Sequence, residues 1–161
     1  MPITDVITHP EAHSLVVIGE FATSSERLWQ IWADPRQLER WWGPVTHPAT
    51  VTEHDLTPGG TVSYYMTGPD GERFPGGWEV LEVNPPHGFT ARDFFADAND
   101  HKVESAPVST MSVEITEADG TARMVITSAF SSAEDLQTVA DMGMEEGIRS
   151  AAGQIDTLLA A

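Results

Sequence analysis

The stretch that most limits what this chain can fold into is its last eighteen residues or so, Met144 to Ala161. Apolar side chains recur at Met144, Ile148, Ala151, Ile155 and Leu158, in steps of four, three, four and three. That spacing lays one stripe along a helix, with Glu145, Glu146, Arg149, Gln154 and Asp156 mostly off it. A lone amphipathic helix of this length does not hold in water and needs an apolar surface to lie on. Gly143, Gly147, Ser150 and Gly153 sit beside the stripe and make the helix slim on one side. Small residues there either let a sheet approach closely or leave room beneath the helix for something else.

The middle of the chain can supply that surface. From Ala49 to Phe130 short alternating runs are separated by turn signals: Thr57-Pro58-Gly59-Gly60, Gly68-Pro69-Asp70-Gly71, Asn84-Pro85-Pro86 and Ala118-Asp119-Gly120-Thr121. These predict strands at 49–56, 61–67, 77–83, 89–95 and 108–116, and a final strand after the last turn that carries Met124 to Phe130. Val62, Tyr64 and Met66 share one face, as do Met111, Val113 and Ile115, and Met124, Ile126, Ser128 and Phe130. Residues 96–107 are polar and irregular and read as a long loop.

Upstream, Ser14 to Phe21 is rich in β-branched residues and predicts a strand. Thr23 and Glu26 then mark a helix start, and Asp34-Pro35-Arg36-Gln37 marks a second, with Asp34 as cap. Leu28, Trp29, Ile31, Trp32, Leu38, Trp41 and Trp42 give these two short helices an aromatic wall. Ser131 with Glu134 predicts a further helix to about Asp141, broken near Gly143. Residues 1–13 carry little pattern and are read as an extension to a core over 14–160. The order is that of a single α+β domain.

Composition narrows the function. Twenty-five acidic against eight basic residues give a net charge of -17, with no basic cluster. Phosphate backbones and anionic membrane surfaces are held through Lys and Arg, so nucleic acid is excluded as a partner. No apolar run is long enough to insert in a membrane, and Met1 to Leu15 lack the pattern of a signal peptide. With no cysteine there is no disulfide or thiolate chemistry, and a cytoplasmic location is expected. No Gly-rich phosphate loop, HExxH or GxSxG occurs, so no cofactor is expected. His9 and His13 have the spacing of a helical metal pair but no third ligand, so no metal is expected either.

Two strands carry carboxylates among apolar neighbours. In Gly77-Trp78-Glu79-Val80-Leu81-Glu82-Val83 a strict period of two cannot put both Glu79 and Glu82 outside, unless a bulge intervenes. Asp93 shares a strand face with Phe89, Ala91 and Phe95, while Arg92 shares the other with Phe94. A carboxylate inside an apolar cavity has a raised pKa and can act as acid, base or anchor.

The ordered set Phe21-Ala22, Leu28-Trp29, Trp32-Ala33-Asp34-Pro35, Trp41-Trp42-Gly43-Pro44, Asp55-Leu56-Thr57-Pro58-Gly59-Gly60, Val83-Asn84-Pro85-Pro86 and Met142-Gly143-Met144-Glu145-Glu146-Gly147 resembles the START-like superfamily (SRPBCC, Bet v-like). The nearer resemblance is to its bacterial branch related to the heat-shock-protein-90 ATPase activator. It implies a helix-grip fold: a curved antiparallel sheet of about six or seven strands wrapped around a long C-terminal helix, with two short helices after the first strand and a cavity between sheet and helix.

Three functions follow as expectations. The first is a module binding a small hydrophobic or aromatic molecule in a pocket lined by Trp41, Tyr64, Met66, Trp78, Met111, Met124, Met144 and Ile148; four of these are the flexible Met. The second is a cyclase- or hydrolase-like enzyme using Glu79 or Asp93 with Tyr64 as a donor. The third, implied by the resemblance, is an interaction protein with a chaperone partner. Whether any reaction is catalysed stays open, as does a homodimer.

Overall fold

A computed structural model of the chain describes residues 3–160; Met1, Pro2 and Ala161, which closes the terminal stretch, lie outside the described residues. The architecture is α+β. Eight strands, β1 (Ile3–His9), β2 (Ser14–Phe21), β3 (Ala49–His54), β4 (Thr61–Thr67), β5 (Arg73–Asn84), β6 (Gly88–Phe95), β7 (Ser109–Ala118) and β8 (Thr121–Phe130), form one sheet. Its order is β1-β2-β8-β7-β6-β5-β4-β3, antiparallel throughout. Helices α1 (Ser25–Ala33) and α2 (Pro35–Leu38) carry the chain from β2 to the far edge at β3, and α3 (Ala133–Asp141), α4 (Met144–Ala152) and α5 (Ile155–Ala160) close it. α2 touches β3 at one edge of the sheet and α4 touches β1 at the other. This is the helix-grip arrangement.

The sheet has one strand more than the sequence reading allows, because residues 3–9 are not a patternless extension. They pair with β2 from Ile3 opposite Gly19 to His9 opposite Ser14, as an edge strand. The chain reverses through a single 3₁₀ turn at Pro10–Ala12, and His13 takes a left-handed conformation (φ 52). His9 and His13 therefore flank a turn and do not share a helix face.

The terminal stripe is real but the helix beneath it is segmented. Gly143 (φ 85) separates α3 from α4, a conformation that costs glycine little. A second interruption at Gly153-Gln154, unforeseen in the sequence, separates α4 from α5. There the Gln154 amide donates to the Gly43 carbonyl at 2.8 Å, and the Ser150 hydroxyl accepts from the Val45 N–H at 3.1 Å. Those two bonds tie the segmented helix to the loop after Trp41 and Trp42. Ala151, Ile155 and Leu158 are buried, while Met144 and Ile148 are half-buried.

Capping follows the expected chemistry with two shifts of one residue. Ser24, not Thr23, caps α1 by accepting from the Arg27 N–H at 3.1 Å, and Ser132, not Ser131, caps α3 by accepting from Asp135. Asp34 caps α2, and the Gln37 amide bonds back to it at 3.0 Å.

The apolar interior is divided in two. The main core joins α1, the tryptophan loop, the sheet and α5, with Trp32, Trp41 and Trp78 as its largest buried side chains. Trp32 stacks edge-on against Trp41 at 4.7 Å and meets Phe89 at 5.3 Å, geometries favoured by ring quadrupoles. A second cluster of Phe130, Leu136 and Val139, with Met144 against it, sits under α3.

Candidate functional site

The two clusters do not merge. Between them lies a cavity of about 320 Å³, lined by β4 to β8, the tryptophan loop, α3 and α4. Tyr64, Met66, Met111 and Ile126 rise from the sheet, Trp41 and Trp42 close one end, and Ile148, Ala151 and Ala152 form the roof. The slim side of the helix matters here: Gly147 is on the lining, and a methyl group at its Cβ position would meet only Pro44. Four large apolar side chains are exposed among the described residues. Phe74, Phe95 and Met142 belong to the cavity lining, and Val45 follows the lining residue Pro44. The mouth is thus apolar as well as the walls.

One polar focus interrupts this surface. Among the described residues Asp93 on β6 is the one carboxylic acid on the lining, and no Lys, Arg or His joins it. It stands opposite Trp78 on β5 and Ser109 on β7. Tyr64 lies two strands away on β4, and it reaches Asp93 because its register partner on β5 is Gly76. A Cβ at Gly76 would stand 2.6 Å from the phenol oxygen, so the missing side chain is what lets the ring lie over β5. The hydroxyl donates to Asp93 Oδ1 at 3.4 Å, a long bond.

Burial raises the Asp93 carboxyl from 3.8 to about 7, against a smaller opposing effect of the Tyr64 bond. Its half-buried surface is not at odds with this, since protein surrounds it and it is reached from the cavity. Tyr64 is pushed well above its ordinary value, first by burial and then by the charge of Asp93, so it stays a neutral donor. The indoles of Trp42 and Trp78 lie near enough to favour the ionised phenol, yet neither N–H closes a hydrogen bond. Both nitrogens are sealed from solvent.

The sequence candidates divide accordingly. Trp41, Tyr64, Met66, Met111, Met144 and Ile148 line the cavity, and so does Asp93. Trp78 and Met124 do not: both are fully buried in the main core, and the Met124 sulfur accepts from the Trp32 indole at 3.4 Å. Their strands face inward as expected, but at the end where the tryptophans fill the space. Glu79 is also off the lining. The ladder slips between Val80 and Glu82, and that bulge lets both glutamates point outward; Glu79 meets Lys102 at 3.4 Å and Glu82 is exposed. Sequence reasoning missed Trp42, Ser109, Ser128 and Phe130 as lining residues. The signal for the last three was present, since they continue the inward alternation of Met111 and of Met124–Ile126.

No cluster of three or more metal-ligating side chains occurs among the described residues, and no helix among them is long and apolar enough to cross a membrane.

Comparison with known proteins places this geometry. The family model described as Activator of Hsp90 ATPase homolog 1-like protein matches residues 22–160. The crystal structure of protein Ms6760 from Mycobacterium smegmatis is 51% identical, with 98% of this chain and 97% of that one covered and a TM-score of 0.91. A solution structure of a protein from Arthrobacter aurescens is 44% identical over 97% of this chain and 91% of that one, with a TM-score of 0.93. The crystal structure of the AHSA1 protein from Silicibacter pomeroyi is 25% identical over 91% and 97% respectively, with a TM-score of 0.71. The search of curated proteins returned no match.

Proposed function

The chain belongs to the Activator of Hsp90 ATPase homolog 1-like family, and from that premise and the geometry above we propose that it binds a small hydrophobic or aromatic molecule beneath its C-terminal helices. The observation that carries this reading is the cavity of about 320 Å³ between the two apolar clusters. Native interiors are close-packed, and a space of this size within a small domain is of the order that small-molecule sites occupy, roughly 300–1,000 Å³. Its lining suits such a ligand: aromatic and Met side chains with a few polar groups. The exposed Phe74, Phe95 and Met142 give an apolar ligand a wetted route from solvent to the interior.

The test is native mass spectrometry of the purified protein, followed by titration of its tryptophan fluorescence with naphthalene-based probes. Trp41 and Trp42 lie on the lining, so a bound ring quenches or shifts their emission. A co-purifying small molecule or a saturable probe signal supports the reading. Protein of apoprotein mass that no probe perturbs would remove it.

A second reading rests on the Tyr64–Asp93 pair. A carboxyl with a pKa near 7 beside a neutral phenol is placed for proton transfer to a molecule in the cavity. A cyclase- or hydrolase-like activity would then fall steeply in Asp93→Asn and rise with pH through about 7 in the unmodified chain if Asp93 is the base. Turnover of aryl ester substrates that is indifferent to Asp93→Asn would dismiss it.

A further inference from the structure

We propose that the cavity selects hydrophobic amines, taken up as ammonium ions whose head is paired with Asp93 and whose apolar body lies along the aromatic walls. The inference deepens the ligand-binding reading and rests on it.

The argument starts from what the cavity offers a charged group. Asp93 supplies the single formal charge on the lining, and it is negative. Tyr64 occupies Oδ1, and no other side-chain hydrogen bond to Asp93 occurs among the described residues. The carboxylate therefore keeps acceptor capacity free toward the cavity, where an N–H donor would shorten and strengthen the contact. Among the described residues of the lining, no group compensates this charge from another side. Tyr64 faces Asp93 from β4, Trp78 from β5 and Ser109 from β7, all neutral, and the lining residues of α3 and α4 carry no charge.

The walls add to the selection. Trp41, Trp42, Phe94 and Phe130 present π-faces or edges to the space, and ring faces attract cations, more strongly once desolvated. The two orphan indole N–H groups, of Trp42 and Trp78, are sealed from solvent and lie beside the Tyr64 hydroxyl, so they bear on the phenol that already faces Asp93. Outside, the net charge of -17 draws cations toward the mouth and repels fatty acids and other carboxylates. Neutral alcohols gain a hydrogen bond at Asp93 but no Coulomb attraction, and acids lose on both counts.

Titration of Asp93 sharpens the point. Burial holds its carboxyl near 7, so an incoming ammonium must meet the ionised form. Amine affinity then rises as pH rises through that value, while the amine itself stays protonated up to about pH 10.

The experiment measures Kd for naphthylethylamine, naphthylethanol and naphthylacetate by tryptophan quenching, in the unmodified chain and in Asp93→Asn. The amine is expected to bind roughly tenfold or more tighter than the alcohol at about pH 8, with the acid weakest. Its affinity should rise by roughly an order of magnitude between about pH 6 and about pH 8, while that of the alcohol stays flat. In Asp93→Asn the preference of amine over alcohol should collapse while the alcohol still binds. Acid or alcohol binding as tightly as the amine overturns the inference and leaves ligand binding intact. If none of the three binds, the ligand-binding reading falls with it. The pH profile uses the unmodified chain alone, so a variant that fails to fold does not remove the test.

Discussion

The space under the C-terminal helices has two ends, and they are built differently. Beneath α5 the sheet meets Trp29, Trp32 and Phe89, with Ile155 and Leu158 set into the same buried cluster. Beneath α4 the same sheet meets Gly147, Ile148, Ala151 and Ala152, and a cavity remains. Strand geometry is common to both ends, so the difference lies in side-chain volume. Tryptophans delivered by α1 and the loop after α2 fill one end, and Trp42 forms the partition. Its ring contacts Trp78 at 4.9 Å on the filled side and Tyr64 at 6.0 Å on the open side. One fold thereby joins a filled half to an open half under the same run of helices.

Truncation at the filled end should therefore cost most. Trp32→Ala removes a fully buried ring with partners on four sides, and a loss of about 3–5 kcal/mol is expected in urea unfolding. A loss below about 1 kcal/mol would mean that the filled end is looser than its contacts imply.

A matched pair breaks the comparison more directly, since Ile155 and Ile148 belong to one stripe. Ile155→Ala should cost about 2–4 kcal/mol, whereas Ile148→Ala, half-buried over an existing cavity, should cost about 1 kcal/mol and weaken probe binding. Equal losses at the two positions would erase the distinction between the ends.

Asp93→Asn should act in the opposite sense. The folded chain holds this proton more tightly than the unfolded chain does, 3.8 being the ordinary value and about 7 the folded one. Stability is therefore undiminished below about pH 4, falls as pH rises toward about 7, and levels off above it. Removing the acid should raise stability by about 2 kcal/mol at pH 8, with the gain vanishing near pH 4; cavity water keeps it below what the full shift implies. Thermal unfolding at the two pH values measures this, and a pH-independent effect would show that Asp93 is not the group under strain.

The smallest change expected is at Gly147. It lies inside α4, and its Cβ position would meet only Pro44 Cγ, at an ordinary 3.7 Å. Gly147→Ala should stabilise the chain by about 0.5–1 kcal/mol through backbone entropy. A destabilised variant would indicate that the roof of the cavity is already in tight contact.

Much of the fold is legible in the sequence, whereas the division between the two ends is not, and for definite causes. Alternation and Gly-Pro turns gave the strands from β3 to β8, and inward positions such as Met111, Tyr64 and Asp93 followed from period two. Period two says which face a residue takes, however, and not which end of the helix lies above it, so it cannot tell Trp78 and Met124, which belong to the core, from residues that line the pocket. The bulge after Val80 has no residue signature, and it turns Glu82 to the same outer face as Glu79. β1 escaped because an edge strand makes weak demands on side-chain alternation, although Ile3, Val6 and Ile7 are β-branched. The helix caps were misplaced by one residue where Thr23-Ser24 and Ser131-Ser132 each offer two adjacent hydroxyls.

The bare backbone of Gly76 carries a consequence for reading other chains of this kind. The phenol rests where any substituent at that position would stand, so even alanine there would lever the ring aside and leave the β6 carboxylate without its neighbour. Among relatives, an aspartate aligned with Asp93 is therefore a weak marker by itself. The triplet of tyrosine, glycine and aspartate on three successive strands is the pattern to compare among relatives, because only the three together keep the phenol beside the carboxylate.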